Sequence, residues 1–179
     1  MIRLFVAIAL PEAILERLES LGGGVPGARW ASAETMHLTL RFIGEVPETT
    51  AADIDQALHA VSCPAFELTL EEIGSFGARS RPRVIWAGVA SSPALDRLQA
   101  KVESALVRMG LPPEGRKFTP HVTLARLKGA RSARVGEFVA AHNPFRAGPF
   151  PVAEFMLYSS YLAQSGAIHT AEARYPLDR

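Results

Sequence analysis

The sequence predicts an α+β fold: two pseudo-symmetric lobes of mainly antiparallel sheet, with helices outside and a central groove. Three observations carry this. Strand-like and helix-like stretches are mixed without the strict alternation of a doubly wound parallel sheet. The segment Met36-His37-Leu38-Thr39-Leu40-Arg41 is echoed 84 residues later by Pro120-His121-Val122-Thr123-Leu124-Ala125-Arg126. Each copy falls on a predicted strand, with a strand–helix unit ahead of it and a helix behind it. With 179 residues, 48% of them hydrophobic, the chain has the size and composition of one domain, residues 1–179, with a filled core.

Each element has its own signal. Ile2–Ala9 is apolar almost throughout and reads as a central strand buried on both faces. Pro11 opens a helix whose stripe is Ile14, Leu15, Leu18 and Leu21, and Gly22-Gly23-Gly24 stops it. Met36–Ile43 is the next strand, followed by a helix from about Thr49 to Val61 that carries Ile54, Leu58 and Val61. Phe66–Ile73 alternates as a strand does, and Arg83–Val89 is a second apolar strand. Between them Gly74–Pro82, rich in Gly, Arg and Ser, reads as an exposed loop. Ser92-Pro93 caps a helix with the buried stripe Leu95, Leu98, Val102, Ala105, Leu106 and Met109, closed by Gly110. Phe118–Leu127 reads as a strand, and about Ser132–Ala141 as a helix facing inward through Val135, Phe138 and Val139. Phe145–Phe150, Val152–Tyr161 and Ile168–Tyr175 read as strands, the last two joined by a Gln164-Ser165-Gly166 turn.

Composition narrows the function. Lys plus Arg (19) and Asp plus Glu (18) nearly cancel, leaving +1, which argues against a wholesale nucleic-acid coat or a polybasic membrane anchor. Local charge is another matter. Between Glu114 and Glu137 there is no acidic residue, while Arg116, Lys117, Arg126, Lys128, Arg131 and Arg134 bracket His121. Arg79, Arg81 and Arg83 form a second cluster. Such patches focus a phosphorylated substrate on one face. The one cysteine, Cys63, closes no internal disulfide and rules out a zinc site built on Cys pairs, as fits a reducing compartment. Met1–Leu10 has the outline of a short signal peptide but leads straight into a helical pattern, so it reads as strand. No stretch approaches the roughly 20 apolar residues of a membrane span. A cytoplasmic monomer without membrane association is expected.

The repeated His-x-Thr-Leu carries the chemistry. Drawn at random from this composition, two His-x-Thr pairs would arise about twice in a hundred chains, and the added Leu makes the coincidence roughly a hundredfold rarer. Residues two apart in a strand share a face, so His37 points with Thr39 and His121 with Thr123. Leu38, Leu40, Val122 and Leu124 then point into a core. Two such strands about a pseudo-twofold axis set two imidazoles across a groove. Imidazole titrates near neutrality, so one can take a proton while the other gives one, and each Thr hydroxyl can donate to an anionic oxygen. Displacement at phosphorus needs this set: a base for water, an acid for the leaving oxygen, and donors for the non-bridging oxygens. It requires no metal where the leaving group is good or strained. Two histidines without a nearby carboxylate or cysteine are also a poor ligand set.

Strict alternation brings Arg41 onto the His37 face, lining the groove, and puts Arg126 on the face opposite His121. Phe118, at the start of its strand, is a candidate for stacking a base, whereas Trp86, flanked by Ile85 and Val84, reads as core. His59, His142 and His169 stand alone and read as hydrogen-bonded structural groups.

These motifs resemble those of the two-histidine phosphoesterase superfamily, and within it the bacterial RNA 2′,3′-cyclic phosphodiesterases, the LigT-like proteins once called 2′-5′ RNA ligases. The resemblance runs nearly end to end. It covers Arg3-Leu4-Phe5-Val6-Ala7, His37 through Gly44, Arg83-Val84-Ile85-Trp86, Phe118 through Arg126, and Leu157-Tyr158-Ser159-Ser160. It implies hydrolysis of a terminal 2′,3′-cyclic phosphate to a 2′-phosphomonoester with no cofactor and no metal. The implied partner is RNA with such an end, or a small cyclic nucleotide. It implies His37 as proton donor to the leaving 3′-oxygen, His121 as the base that activates water, and Thr39 and Thr123 as holders of the phosphate oxygens. Arg126 matches the Arg that ends the family's second motif. One departure is His169, which stands where the family often has Tyr after the turn glycine. Two other readings stay open: ligation or cleavage of 2′-5′ linkages at the same site, and a non-catalytic module that clamps RNA 3′ ends.

Overall fold

The computed structural model describes residues 1–179. Its elements are β1 (Ile2–Ala9), α1 (Glu12–Glu19), β2 (Ala28–Trp30), a 3₁₀ turn (Ala33–Thr35), β3 (His37–Val46), α2 (Glu48–His59) and β4 (Phe66–Ala78). After these come β5 (Arg81–Val89), α3 (Pro93–Arg108), β6 (His121–Leu127), α4 (Ser132–His142), β7 (Arg146–Val152), β8 (Glu154–Ala163) and β9 (Gly166–Pro176). The strands join in one sheet in the order β7-β4-β5-β6-β3-β1-β8-β9, with β2 added on β6. Every pairing is antiparallel. This α+β arrangement is the one expected. The order is also palindromic: β6 matches β3, β5 matches β1, β4 matches β8 and β7 matches β9. The pseudo-twofold axis passes between β3 and β6, which share the single ladder pair Leu38↔Val122.

The two faces of this sheet have different tasks. One carries the main core, where Leu38, Leu40, Val122 and Leu124 meet Ile54 and Leu58 of α2 and Leu98 and Val102 of α3. Ser92 caps α3 by accepting from the Leu95 N–H, with proline in the first turn, as its sequence requires. Burying each such leucine contributes about 2 kcal/mol. On the other face, Phe5 and Ala7 of β1 form a small separate cluster with Met156 and Tyr158 of β8. β1 therefore sends Leu4, Val6 and Ile8 one way and Phe5 and Ala7 the other, which is why its sequence hardly alternates. No helix is long and apolar enough to cross a membrane.

Three expectations need correction. Gly74–Pro82 is not a loop: β4 runs on to Ala78, β5 starts at Arg81, and only Arg79-Ser80 turns the chain. The glycines that mimic a loop serve the strand. A Cβ on Gly74 would lie 2.2 Å from Trp86 Cζ2, so the missing side chain makes room for the indole. Gly77, at φ +115, sits at a register shift against β5. Phe118–Pro120 lie ahead of β6 rather than in it, since Pro120 has no N–H for a ladder. The first helix ends at Glu19, before the Gly22 stop. β2, three residues long, carried no sequence signal.

Candidate active site

At the β3–β6 join Leu38 faces Val122. Continued by one residue each way, that antiparallel register puts His37 opposite Thr123 and Thr39 opposite His121. Each histidine thus faces the threonine of the other motif, and the two histidines stand on a diagonal, where Cα atoms are about 7–8 Å apart.

Both motif strands break alternation at the same place. Against β1, Val6 pairs with Arg41 and Ala7 with Thr39, so Leu40 is an extra residue. Against β5, Ile85 pairs with Ala125 and Trp86 with Thr123, so Leu124 is the extra residue. After each bulge the faces swap. Leu40 and Arg41 are consecutively buried, as are Leu124 and Ala125, while Phe42 and Arg126 turn out to the histidine face. The swap brings Arg126 to the histidine side, where it shares a cavity wall with Thr123, against strict alternation. Arg41 borders the other cavity with Thr39 and His121 but is only 7% exposed; its Nε donates to Glu103 Oε2 at 2.7 Å and its Nη atoms donate to the Phe42 and Pro112 carbonyls. It backs a cavity wall with its guanidinium already committed.

The two histidines have different surroundings. His121 Nδ1 lies 2.7 Å from the Thr119 carbonyl, which only accepts, so Nδ1 carries the hydrogen and Nε2 keeps its lone pair. The ring meets Phe76 edge-on, with centroids 4.8 Å apart. Phe76 in turn leans on Trp86 at 5.4 Å. Trp86 therefore buttresses the site as well as packing against β4.

His37 Nδ1, by contrast, is buried and makes no hydrogen bond of the length and direction that Thr119 gives His121, although the Thr35 carbonyl lies close enough to favour a proton on the ring. The ring packs against Tyr158 at 4.4 Å, His169 at 5.2 Å and Phe5 at 5.8 Å. Burial first, then the neighbouring His169, hold its pKa down to about 4, and the Thr35 carbonyl, the counterpart of Thr119, acts in the opposite direction. Burial also holds His169 below the ordinary imidazole range and pushes the Tyr158 phenol up. His37 is thus uncharged at neutral pH unless an anion arrives.

Two cavities flank the join. One of about 520 Å³ is lined by Thr123, Arg126, Arg29, Trp30 and His169, with Leu162–Ala167 of the β8–β9 hairpin. Arg29 is the cross-strand partner of Arg126, so two guanidiniums border this side. The other, about 340 Å³, is lined by Thr39, His121, Phe42, Phe76, Phe118, Arg116 and Lys117. Phe118, the stacking candidate, lines the same cavity as His121. His59 and His142 end their helices with Nδ1 on the Asp55 and Phe138 carbonyls, the structural role expected of them. His169 does not fit that role, because its Nδ1 is buried without a partner. Sequence reasoning had no means of finding Phe76, placed in a supposed loop, or the His37–His169 contact, which strand pairing across the sheet creates. No three His, Cys, Asp or Glu side chains gather as a metal-ligating group.

Residues 9–162 match the model of the 2′-5′ RNA ligase superfamily. An Aeropyrum pernix protein named RNA 2′,3′-cyclic phosphodiesterase is 38% identical over 148 residues, covering 82% of this chain and 84% of its own length. An Escherichia coli protein of the same name is 31% identical over 179 residues, covering 98% and 96%. The crystal structure of E. coli LigT complexed with 3′-AMP is similar at a TM-score of 0.81 and 31% identity, over 99% of both chains. With both histidine strands inside the matched span, the chain belongs to the 2′-5′ RNA ligase superfamily.

Proposed function

We propose that this chain hydrolyses RNA ends carrying a 2′,3′-cyclic phosphate, leaving a 2′-phosphomonoester. The observation that carries the reading is the joining of the two His-x-Thr strands at Leu38↔Val122, which brings both motifs to one strand join. Relatives named for this activity, similar over most of their length, support it. His121, its Nδ1–H held by Thr119, presents Nε2 as the base that takes a proton from water as the new P–O bond forms. His37 gives a proton to the leaving 3′-oxygen as the old bond breaks. Burial keeps His37 uncharged at neutral pH, and an anionic phosphodiester beside it raises its proton affinity. It becomes an acid with substrate in place. Thr39, Thr123 and Arg126 hold the non-bridging oxygens, and Phe118 and Phe42 offer faces for a base. The chain acts as a single domain and a monomer.

The test is incubation of EDTA-treated protein with a short RNA ending in 2′,3′-cyclic phosphate, resolving 2′- from 3′-monophosphate. Conversion to the 2′-product is expected; no conversion, or a 3′-product, overturns the reading. The cavities on both sides of the join favour one second reading, a 2′-5′ phosphodiester with a nucleoside on either side. Cleavage of a 2′-5′-linked dinucleotide in preference to the cyclic end would establish it.

A further inference from the structure

His169 is the one histidine outside the two motifs that reaches the groove. It lies on β9 opposite Ser160 of β8, and Phe5 of β1 meets its ring edge-on at 4.9 Å. Its ring centroid is 5.2 Å from that of His37, and it lines the same cavity as Thr123 and Arg126. Nδ1 of each ring is buried with no partner. A buried nitrogen without a full hydrogen bond is costly until a partner completes it, and two such nitrogens on neighbouring rings concentrate that demand in one place.

We propose that His169 is a positioning residue for His37: the two neighbouring rings act as a pair that takes up one proton rather than two when a phosphate anion is bound. Two imidazolium charges at this separation repel, so the second proton enters only at a lower pH than the first. The Tyr158 phenol of β8 packs on His37 and the Thr35 carbonyl acts on it, while Arg126 of β6 and Arg29 of β2 line the cavity that His169 borders. The two arginines act against a second cation in the pair, and the phosphate acts for the first. His169 thereby sets the pH below which His37 carries its proton. This rests on the phosphoesterase reading above only for its catalytic consequence.

The test is a titration of the intact protein labelled at its histidine rings, followed by NMR with and without inorganic phosphate, for the wild type and His169→Phe. Phenylalanine keeps the ring's bulk and the burial of His37 but removes the charge. The expected result is a rise in the His37 midpoint of about half a unit to one unit. On the proposed reaction, the alkaline limb of kcat moves to higher pH in the same variant. His169→Gln is the second variant. An unmoved His37 midpoint in whichever variant keeps the wild-type unfolding temperature overturns the proposal and leaves His169 a packing residue. Phosphate should raise the midpoints of the pair in the wild type. If phosphate moves neither ring the proposal is overturned, while the phosphoesterase reading stands or falls separately on conversion of the cyclic end.

Discussion

His121 Nδ1 lies 2.7 Å from the Thr119 carbonyl, while the matching nitrogen of His37 is buried without so good a partner, so two copies of one motif sit in different surroundings. His37→Ala and His121→Ala should each lower kcat/KM by about 10²–10⁴-fold with the fold preserved, measured on the cyclic-phosphate RNA. Near-wild-type turnover in either variant would remove that histidine from the mechanism. The depressed His37 pKa also bears on stability. The folded ring titrates at about 4 rather than 6.5, so between these values the unfolded chain binds more protons. The contribution of His37, on the order of 3 kcal/mol, is fully present above the ordinary value and is lost as pH falls toward the folded one. Wild type should therefore lose more of its thermal midpoint between neutral pH and pH about 4 than His37→Gln does. Equal losses would show that the ring is not desolvated. The paired His-x-Thr motifs were legible in the sequence because i, i+2 spacing fixes a face locally. His169 was not, because its neighbour 132 positions away reaches it only through the β3–β1, β1–β8 and β8–β9 pairings.

The bulges at Leu40 and Leu124 decide which arginine serves the site and which serves the core. Arg126→Ala should reduce kcat/KM by roughly 10–100-fold while changing stability by no more than about 0.5 kcal/mol. Arg41→Ala should do the reverse, costing about 3 kcal/mol in urea unfolding by stranding Glu103, with the smaller effect on turnover. The opposite pattern would restore plain alternation. Gly74→Val should cost about 1–3 kcal/mol by driving a side chain into Trp86, and should loosen the Phe76 ring that contacts His121. Near-equal unfolding midpoints for this variant and wild type would contradict the fit. Most strands and all four helices were legible from apolar stripes, caps and turns. The extended β4–β5 hairpin was not, since Gly-rich composition signals a loop whether the glycine frees the backbone or, as at Gly74, makes room for an indole.

Across the whole molecule, the palindromic order hands strands between the halves. β4 of the first half lies beside β5 of the second, and β8 of the second lies beside β1 of the first. Neither half keeps its sheet alone. Peptides divided at Arg79-Ser80 should each lack a cooperative unfolding transition by circular dichroism and regain one when mixed. Two independent transitions would mean that the exchange is dispensable. The repeat was visible in the sequence; the exchange was not, because pairing partners are set by packing of the finished sheet. The duplication also has a consequence for direction. A perfect twofold site would accept a nucleic acid running either way across it, since both orientations would meet the same groups. Here the positions 84 residues apart just beyond the bulges are Phe42 and Arg126, an aromatic face on one flank and a cation on the other. That mismatch gives an otherwise two-way catalyst a 5′ side and a 3′ side.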